Sequence, residues 1–329
     1  MSSMPADAVV TAPQPDAALD IDDDALVRLG RLLLARDYSF TTVTPATHAR
    51  RLLARGFNAQ AHSLRDVFGW NLPFALNGVF AEVAELLDEA GALHTMPSRH
   101  RWSGTMVRSG VRFANVGGHL FVHGSYPTDA ADAVFLGPDT IRFCRLLDQR
   151  TPGSIGRVLD VGAGSGAAGI MLSARASQVV LADMSHEALR MSRINAAIAG
   201  LGRDVVDVVD SDGLRDVDGL FDVIVCNPPY LADPLGRTYR HGGSMGTELA
   251  VRFVEEALQR LTSTGRLIVY AGTPFVDGRD LFRDAVTPLL GSRAFSYGEI
   301  DPDVFGEEIG EGAYLDVERI AVVALEVHA

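Results

Sequence analysis

Four consecutive residues, Asn227-Pro228-Pro229-Tyr230, carry the groups in this chain that are best suited to chemistry. They directly follow the apolar run 221–226, which predicts a buried strand. The Asn side chain and a backbone carbonyl can accept the hydrogens of a planar NH2 group. The prolines stiffen the turn because they fix φ and lack an N–H, and the Tyr ring can stack on the flat group that carries the nitrogen. The motif therefore predicts a site that positions a planar nitrogen.

A glycine-rich turn, Asp160-Val161-Gly162-Ala163-Gly164-Ser165-Gly166, precedes this motif in the chain. Such a turn between a strand and a helix brings the backbone close to a ligand and points helix N–H groups at it. Residues 164–169 match the Gly-x-Gly-x-x-Gly dinucleotide fingerprint, and Asp183 follows at the distance expected for an acid that binds ribose. The glycines alone therefore leave a nicotinamide dinucleotide and S-adenosylmethionine as nearly equal candidates for the ligand.

The neighbours of the glycine turn favour the second candidate. Asp183, at the end of the next predicted strand, is expected to accept hydrogen bonds from ribose hydroxyls, and Met184 is expected to pack on adenine. No arginine lies in the turn to neutralise a phosphate. Because opposite charges attract, an acidic pocket suits a sulfonium cation better than a pyrophosphate. Asp212, taken alone, is equally typical of an ordinary turn.

The glycine turn and the Asn-Pro-Pro-Tyr motif together resemble those of the class I S-adenosylmethionine-dependent N-methyltransferases. The resemblance implies S-adenosyl-L-methionine as cofactor, with Asp160 near its methionine amino group and Asp212 near its adenine amino group. It implies that Asn227 and the Pro228 carbonyl hold the acceptor nitrogen. The implied catalytic residues are Asn227, Pro228, Pro229 and Tyr230. The implied cofactor-binding residues are Asp160, Gly162, Ala163, Gly164, Gly166, Asp183, Met184, Asp212, Gly213 and Asn227.

The resemblance leaves the methyl acceptor open, because the family includes release-factor glutamine, ribosomal RNA guanine-N2 and adenine-N6 methyltransferases. Residues 240–249, which contain Gly242 and Gly243, resemble the segment that follows the motif in the glutamine methyltransferases. Those enzymes usually carry a small five-helix N-terminal domain, which the first 150 residues of this chain do not resemble. The acidic charge of the chain favours a protein glutamine or a small molecule as acceptor, with RNA as the second hypothesis.

From residue 151 onward, strands and helices alternate, which predicts a doubly wound, Rossmann-like α/β fold. Seven strands are predicted, and the last two should pair antiparallel because no helix separates them. The strands are expected near 157–161, 178–183, 205–210, 221–226, 265–271, 294–300 and 318–327. The helices are expected near 166–176, 185–200, 247–262 and 277–290.

The first 150 residues have a different pattern. Three helices are predicted, one after Asp24, one that begins at Pro45 and ends at Gly56, and one between Gly78 and Gly91. Strand-like segments at 105–108, 111–116 and 119–123 follow them, so a helix-plus-hairpin, winged-helix-like domain is predicted. The predicted divisions are a flexible tail (1–20), a substrate-recognition domain (21–150), here named the N-terminal region, and a methyltransferase domain (151–329), with a linker near 150–154.

Composition restricts the classes of function. The 329 residues are 47% hydrophobic and carry a net charge of −13, with 16 acidic and 14 basic residues in 1–150 and 26 and 15 in 151–329. This balance argues against a broad phosphate-binding surface. No apolar run reaches the roughly 18 residues of a membrane span, and residues 1–20 lack the features of a secretory signal. Cys144 and Cys226 are expected to be buried free thiols in a reducing compartment, the cytoplasm.

Three further segments contain residue types that can form binding sites. Residues 99–102, with Arg108 and Arg112, form the only basic–aromatic cluster, and a solvated hairpin face is the simpler interpretation. His119 and His123 share one strand face without a carboxylate, so no metal site is expected. Residues 301–308 are expected to be an acidic loop rather than the rim of an active site. The rival functional hypotheses are a nicotinamide-dependent oxidoreductase and a non-catalytic regulator that binds nucleic acid.

Overall fold

The computed structural model describes residues 24–56, 58–97, 104–125, 130–233 and 235–329, so the predicted tail 1–20 lies outside the described residues. The helices are α1 (Asp24–Ala35), α2 (Pro45–Arg55), α3 (Ala81–Glu89), α4 (Pro138–Arg150), α5 (Ala167–Leu172), α6 (His186–Ile198), α7 (Glu248–Leu258) and α8 (Leu281–Leu290). The strands are β1 (Phe74–Ala75), β2 (Leu93–Thr95), β3 (Met106–Ser109), β4 (Val111–Val116), β5 (His119–Gly124), β6 (Ile155–Val161), β7 (Ala176–Asp183), β8 (Val206–Asp210), β9 (Phe221–Cys226), β10 (Leu261–Val276), β11 (Arg279–Asp280), β12 (Phe295–Val304) and β13 (Arg319–His328).

The central sheet has the strand order β12-β13-β10-β9-β6-β7-β8, and the short strand β11 folds back on β10. Strands β6 to β10 run parallel, whereas β13 lies antiparallel between β10 and β12. The predicted α/β fold with a seven-stranded, doubly wound sheet is therefore confirmed. Several bounds differ: β10 runs from Leu261 to Val276, β12 extends to Val304, and α7 ends at Leu258. Helix α8 begins at Leu281. Helix α5 ends at Leu172, where the Ser173 hydroxyl donates back to the Ile170 carbonyl at 2.7 Å.

The N-terminal region contains the three predicted helices, but its strands pair differently from the prediction. Strand β3 pairs with β1 and β2 in a three-stranded sheet, and the hairpin is formed by β4 and β5. The chain turns sharply between β3 and β4, where the Ser109 hydroxyl donates to the Val111 carbonyl at 2.6 Å and Gly110 N–H donates to the Ala92 carbonyl at 2.7 Å. The helix-plus-hairpin organisation is present, and its winged-helix character stays a prediction.

Helix α4 was not predicted from the sequence. Only three of its positions, Phe143, Cys144 and Leu147, are buried, so its apolar stripe is too narrow to stand out among its polar residues. These three side chains belong to the same hydrophobic cluster as β6 and β7. The predicted boundary near residue 150 therefore follows a helix that already packs against the central sheet, and the domain division stays a prediction.

Helix α6 connects the central sheet to the N-terminal region. Its residues Met191, Ile194 and Ile198 lie in one buried cluster with Leu26 and Leu29 of α1. The two helices approach closely at Gly30, because a Cβ placed there would lie 2.5 Å from Ile198 Cδ1. The N-terminal region and the sheet thus share a packed interface.

We expect Gly30→Ala to lower the free energy of unfolding by about 1–2 kcal/mol, since overpacking outweighs the gain in helix propensity. Chemical denaturation of the variant and the parent chain measures the difference. The double variant Gly30→Ala/Ile198→Val lacks Ile198 Cδ1, the carbon closest to the new methyl group. It should therefore be no less stable than Gly30→Ala alone. A Gly30→Ala variant as stable as the parent chain would show that this close approach does not constrain the interface.

The structure also places the two cysteines and Arg112. Cys144 and Cys226 are both buried and free, as predicted. Arg112 does not lie on a solvated face, because it is 1% exposed and donates to the Gly69 carbonyl at 2.6 Å and 3.2 Å. Residues 99–102 lie outside the described residues. Among the residues the structure describes, no cluster suits a metal ion, and no helix is long and apolar enough to cross a bilayer.

Candidate active site

A cavity of about 600 Å³ opens at the edge of the sheet where the parallel strands β6, β7 and β9 end. The carboxyl ends of parallel strands meet at one edge, and ligands of open α/β sheets bind there. The structure brings these sequence-predicted residues to the cavity wall: Asp160, Gly162, Ala163, Gly164, Asp183, Met184, Asp212, Gly213, Asn227, Pro228, Pro229 and Tyr230. Of the sequence-predicted site residues, Gly166 alone is missing from the wall.

The glycine turn joins β6 to α5 in a conformation that requires glycine. Gly162, Gly164 and Gly166 have φ of 68°, 58° and 74°. Gly164 faces open space, since a Cβ placed there would have no neighbour within 4 Å among the described residues. Gly166 instead begins α5 and lies close to Leu181, Ile170 and Ser192. The first two glycines therefore shape the cavity wall, and the third shapes the packing behind it.

Asp160, the penultimate residue of β6, carries a buried carboxylate and is 2% exposed. It accepts a hydrogen bond from the Gly169 N–H at 2.9 Å, which links it to the first turn of α5. Burial raises the pKa of Asp160 to about 7, and the nearby Asp183 carboxylate adds to this increase. No ion pair to Asp160 is found in the part of the chain that the structure describes. A cationic ligand in the cavity would supply the missing counter-charge.

Asp183 ends β7, and its carboxylate holds the glycine turn that follows the neighbouring strand β6. Its carboxylate accepts from the Gly164 N–H and from the Ser185 N–H, both at 2.9 Å. Burial raises its pKa despite these bonds. Two acidic groups without a cationic partner among the described residues thus line the cavity, and this arrangement suits a cation better than a phosphate.

Asp212 and Met184 lie on the same side of the cavity. The Asp212 carboxylate is bonded to Arg252 at 2.6 Å and to Arg215 at 2.7 Å, and the hydrogen bond from Arg252 lowers its pKa. Its oxygens are therefore already engaged, so a bond to an adenine amino group would share them with Arg252. Met184 is 59% exposed and is free to pack on a ligand ring. Their roles in cofactor binding stay predictions.

Asn227 begins the turn after β9 and carries an unused acceptor. Its Oδ1 is buried, and no hydrogen-bond donor to it is found among the described residues. Because a buried polar atom without a partner is costly, it marks a position where a ligand can restore the bond. Pro228 and Pro229 continue the cavity wall beside it. The side chain therefore suits a donor N–H group that enters the cavity.

Tyr230 is buried and fixed on three sides. Its ring packs edge-on against Phe305 with centroids 5.8 Å apart, and it covers Gly272, where a Cβ would clash with it. Its hydroxyl lies near the Asp139 carboxylate of α4, which accepts from the Tyr270 hydroxyl at 3.1 Å. Burial raises the pKa of Tyr230 well above its usual value, so the hydroxyl stays protonated.

The N-terminal region completes the cavity wall, which the sequence did not indicate. Phe135 stacks on Tyr239 with ring centroids 5.8 Å apart, and the Thr238 N–H donates to the Ala131 carbonyl at 2.9 Å. Residues 238–239, in the segment after the motif, are therefore held against residues 131–135. Phe305 also lines the cavity, so the expectation that residues 301–308 form only an acidic loop is wrong.

The arginines that line the cavity are paired with acids. Arg237 binds Asp233 at 2.5 Å, Arg240 pairs with Glu308, and Arg252 binds Asp212. Asp233 is 4% exposed, and its hydrogen bond from Arg237 lowers its pKa to about 2, so it keeps its charge at neutral pH. The described wall therefore presents these guanidinium groups already neutralised.

Comparisons with known proteins agree with this site. The Methyltransferase small domain family matches residues 142–285. A release factor glutamine methyltransferase of Deinococcus radiodurans is 35% identical over 168 residues, which cover 46% of this chain and 55% of that protein. A ribosomal RNA small subunit methyltransferase C of Salmonella arizonae is 33% identical over 128 residues, which cover 38% of this chain and 34% of that protein. A solved T. thermophilus 16S rRNA N2 methyltransferase, in complex with AdoMet and guanosine, aligns with 78% of this chain and 63% of that chain, at 19% identity and a TM-score of 0.45.

The chain spans about half the length of the glutamine methyltransferases it matches, 55% for the Deinococcus protein and 57% for one of Rhodopirellula baltica. The family match includes the glycine turn, Asp183 and the Asn-Pro-Pro-Tyr motif, which are the parts that form the cavity wall. This match and these relatives show that residues 142–285 are similar to the class I S-adenosylmethionine-dependent methyltransferases.

Proposed function

We propose that this protein transfers a methyl group from S-adenosylmethionine to a planar amide or amino nitrogen. The observation that carries the proposal is the buried Oδ1 of Asn227, which lacks a donor among the described residues and lies in the same cavity as Asp160 and Asp183. The cavity wall combines carboxylates that suit a cation with an acceptor for an N–H group. An N-methyltransferase uses both features.

The residues of the motif supply positioning rather than acid–base chemistry. When bound, S-adenosylmethionine supplies an electrophilic methyl group on a sulfonium. An amide or nucleobase NH2 is a poor nucleophile because its lone pair is shared with a π-system. A hydrogen bond from that NH2 to Asn227 Oδ1, and a second to the Pro228 carbonyl, would hold the nitrogen with its lone pair toward the methyl group. Tyr230, packed against Phe305 and Gly272, would keep the motif in place.

The preferred acceptor is a protein glutamine or a small molecule. The arginines Arg237, Arg240 and Arg252 are paired with acids, so they offer little excess charge for a phosphate backbone. Aromatic side chains instead surround the acceptor side of the cavity: Phe135, Phe143, Tyr230, Tyr239 and Phe305. RNA amino groups are the second candidate. Two buried free thiols suit a reducing compartment, so we propose that the protein acts in the cytoplasm.

Parallel calorimetric titrations with S-adenosylmethionine, S-adenosylhomocysteine, NAD and NADP test the cofactor. Binding of the first pair alone supports the proposal. Binding of NAD or NADP would favour the oxidoreductase hypothesis, which gives Asn227 no role. A tritiated-methyl screen of proteins, RNA and metabolites then identifies the acceptor. Tight DNA binding with a steep salt dependence and no methyl transfer would favour the regulator hypothesis.

We expect Asp183→Ala to weaken S-adenosylmethionine binding by at least roughly tenfold, since it removes the expected ribose acceptor and two bonds that hold the turn. Calorimetry measures the affinity, and circular dichroism checks the fold. Asp210→Ala is the matched control, because Asp210 ends the neighbouring strand β8 as an exposed carboxylate outside the cavity wall. Equal affinity in both variants would move the ribose site elsewhere.

A further inference from the structure

Asn195, in the second half of α6, is completely buried, and its side chain makes three hydrogen bonds to two residues. Its Nδ2 donates to the Ser165 carbonyl of the glycine turn at 2.9 Å and to the Val122 carbonyl of β5 at 3.0 Å. Its Oδ1 accepts from the Val122 N–H at 2.7 Å. One side chain therefore joins the cofactor turn to the hairpin of the N-terminal region.

The packing of α6 gives this link a rigid support. On one side, the Ser192 hydroxyl donates to the Gly164 carbonyl at 3.0 Å, so α6 contacts two consecutive residues of the turn. On the other side, Met191, Ile194 and Ile198 are buried in the core of the N-terminal region. A displacement of β5 relative to α6 would break the Val122 bonds and free the amide that holds Ser165.

We propose that Asn195 is a positioning residue for the cofactor: it fixes the glycine turn against β5, so that the N-terminal region contributes to the affinity for S-adenosylmethionine. The inference rests on the proposed function, because it concerns the same cofactor site. Without the Asn195 amide, the N–H and carbonyl of Val122 and the carbonyl of Ser165 lose their hydrogen-bond partner. The Ser165 bond is the one that Asn195 makes to the glycine turn. The N-terminal hairpin then supports the cofactor site from behind, although none of its residues lines the cavity.

Calorimetry with S-adenosylmethionine on full-length variants tests this role. Asn195→Ala should weaken binding roughly tenfold or more. Ile194→Val is the control for a general loss of stability, because Ile194 is fully buried on the same helix but faces the N-terminal core; its affinity should stay within about threefold of the parent. Ser192→Ala removes only the bond to Gly164, so its affinity for S-adenosylmethionine should lie between those of Asn195→Ala and Ile194→Val. Parent-like affinity in a folded Asn195→Ala variant overturns the inference.

Hydrogen exchange of the parent chain provides a test that does not depend on a variant. Coupling between two sites is reciprocal, so S-adenosylmethionine should slow exchange of the Val122 amide, which donates to Asn195. Unchanged exchange across residues 119–124 on binding overturns the inference even if Asn195→Ala fails to fold. If the parent chain does not bind S-adenosylmethionine at all, the proposed function fails instead, so the two failures are distinguishable.

Discussion

Replacing Asn227 with alanine should lower the rate of methyl transfer by roughly 10²–10³-fold, while the affinity for S-adenosylmethionine changes little. The side chain offers a buried Oδ1 that accepts from no donor among the described residues. Its removal leaves the acceptor nitrogen without a positioning hydrogen bond, and positioning is the main contribution expected from this motif. A tritiated-methyl assay with the acceptor found by the screen measures the rate, and calorimetry measures cofactor affinity.

Asn227→Asp is the informative comparison for this prediction. The carboxylate keeps an oxygen acceptor at the same position, so its rate should lie between those of the parent chain and Asn227→Ala. A rate equal to that of Asn227→Ala would mean that the amide itself, and not its acceptor oxygen, is needed. Full activity of Asn227→Ala with unchanged cofactor affinity would remove Asn227 from the catalytic residues.

The methyltransferase fold was predictable because each element has a local pattern of its own. The apolar run 221–226 is a strand with four consecutive buried residues at its end, and Ser185 caps α6 by accepting from the Ala188 N–H at 3.3 Å. The glycine turn was predictable for the same reason, since its positive φ angles restrict the residue type. Such features depend on neighbours within a few residues, which the sequence displays directly.

The acceptor side of the cavity was not predictable, because its residues meet through long-range contacts. Asp139 reaches Tyr270 across 131 positions of the chain, and it lies in the helix α4 that has too few buried positions to be predicted. Phe135 and Tyr239 approach each other from different regions, and no local pattern pairs them. Arg112 shows the same limit, because a charged residue in a strand gives no indication that it will be buried against Gly69.

The affinity for S-adenosylmethionine should rise with pH up to about 7 and then level off, because of Asp160. Its pKa is raised from 3.8 to about 7, chiefly by burial. The free protein therefore holds a proton on this carboxyl below pH 7, and a cationic ligand must displace it. Each pH unit below the pKa should cost up to about tenfold in affinity. Calorimetry between pH 5.5 and 8, within the range where the fold is intact, measures the profile.

The same carboxyl should influence the stability of the free protein in the opposite direction. Because the folded state binds a proton that the unfolded state releases above pH 3.8, the contribution of Asp160 to stability falls as pH rises from about 4 to about 7. Asp160→Asn should therefore unfold at a higher temperature than the parent chain at pH 8, yet bind S-adenosylmethionine more weakly and without this pH dependence. Asp207→Asn, which changes an exposed carboxylate of β8, should alter neither profile. A parent-like pH profile in Asp160→Asn would assign the titration to another group and leave Asp160 a structural role at the start of the turn.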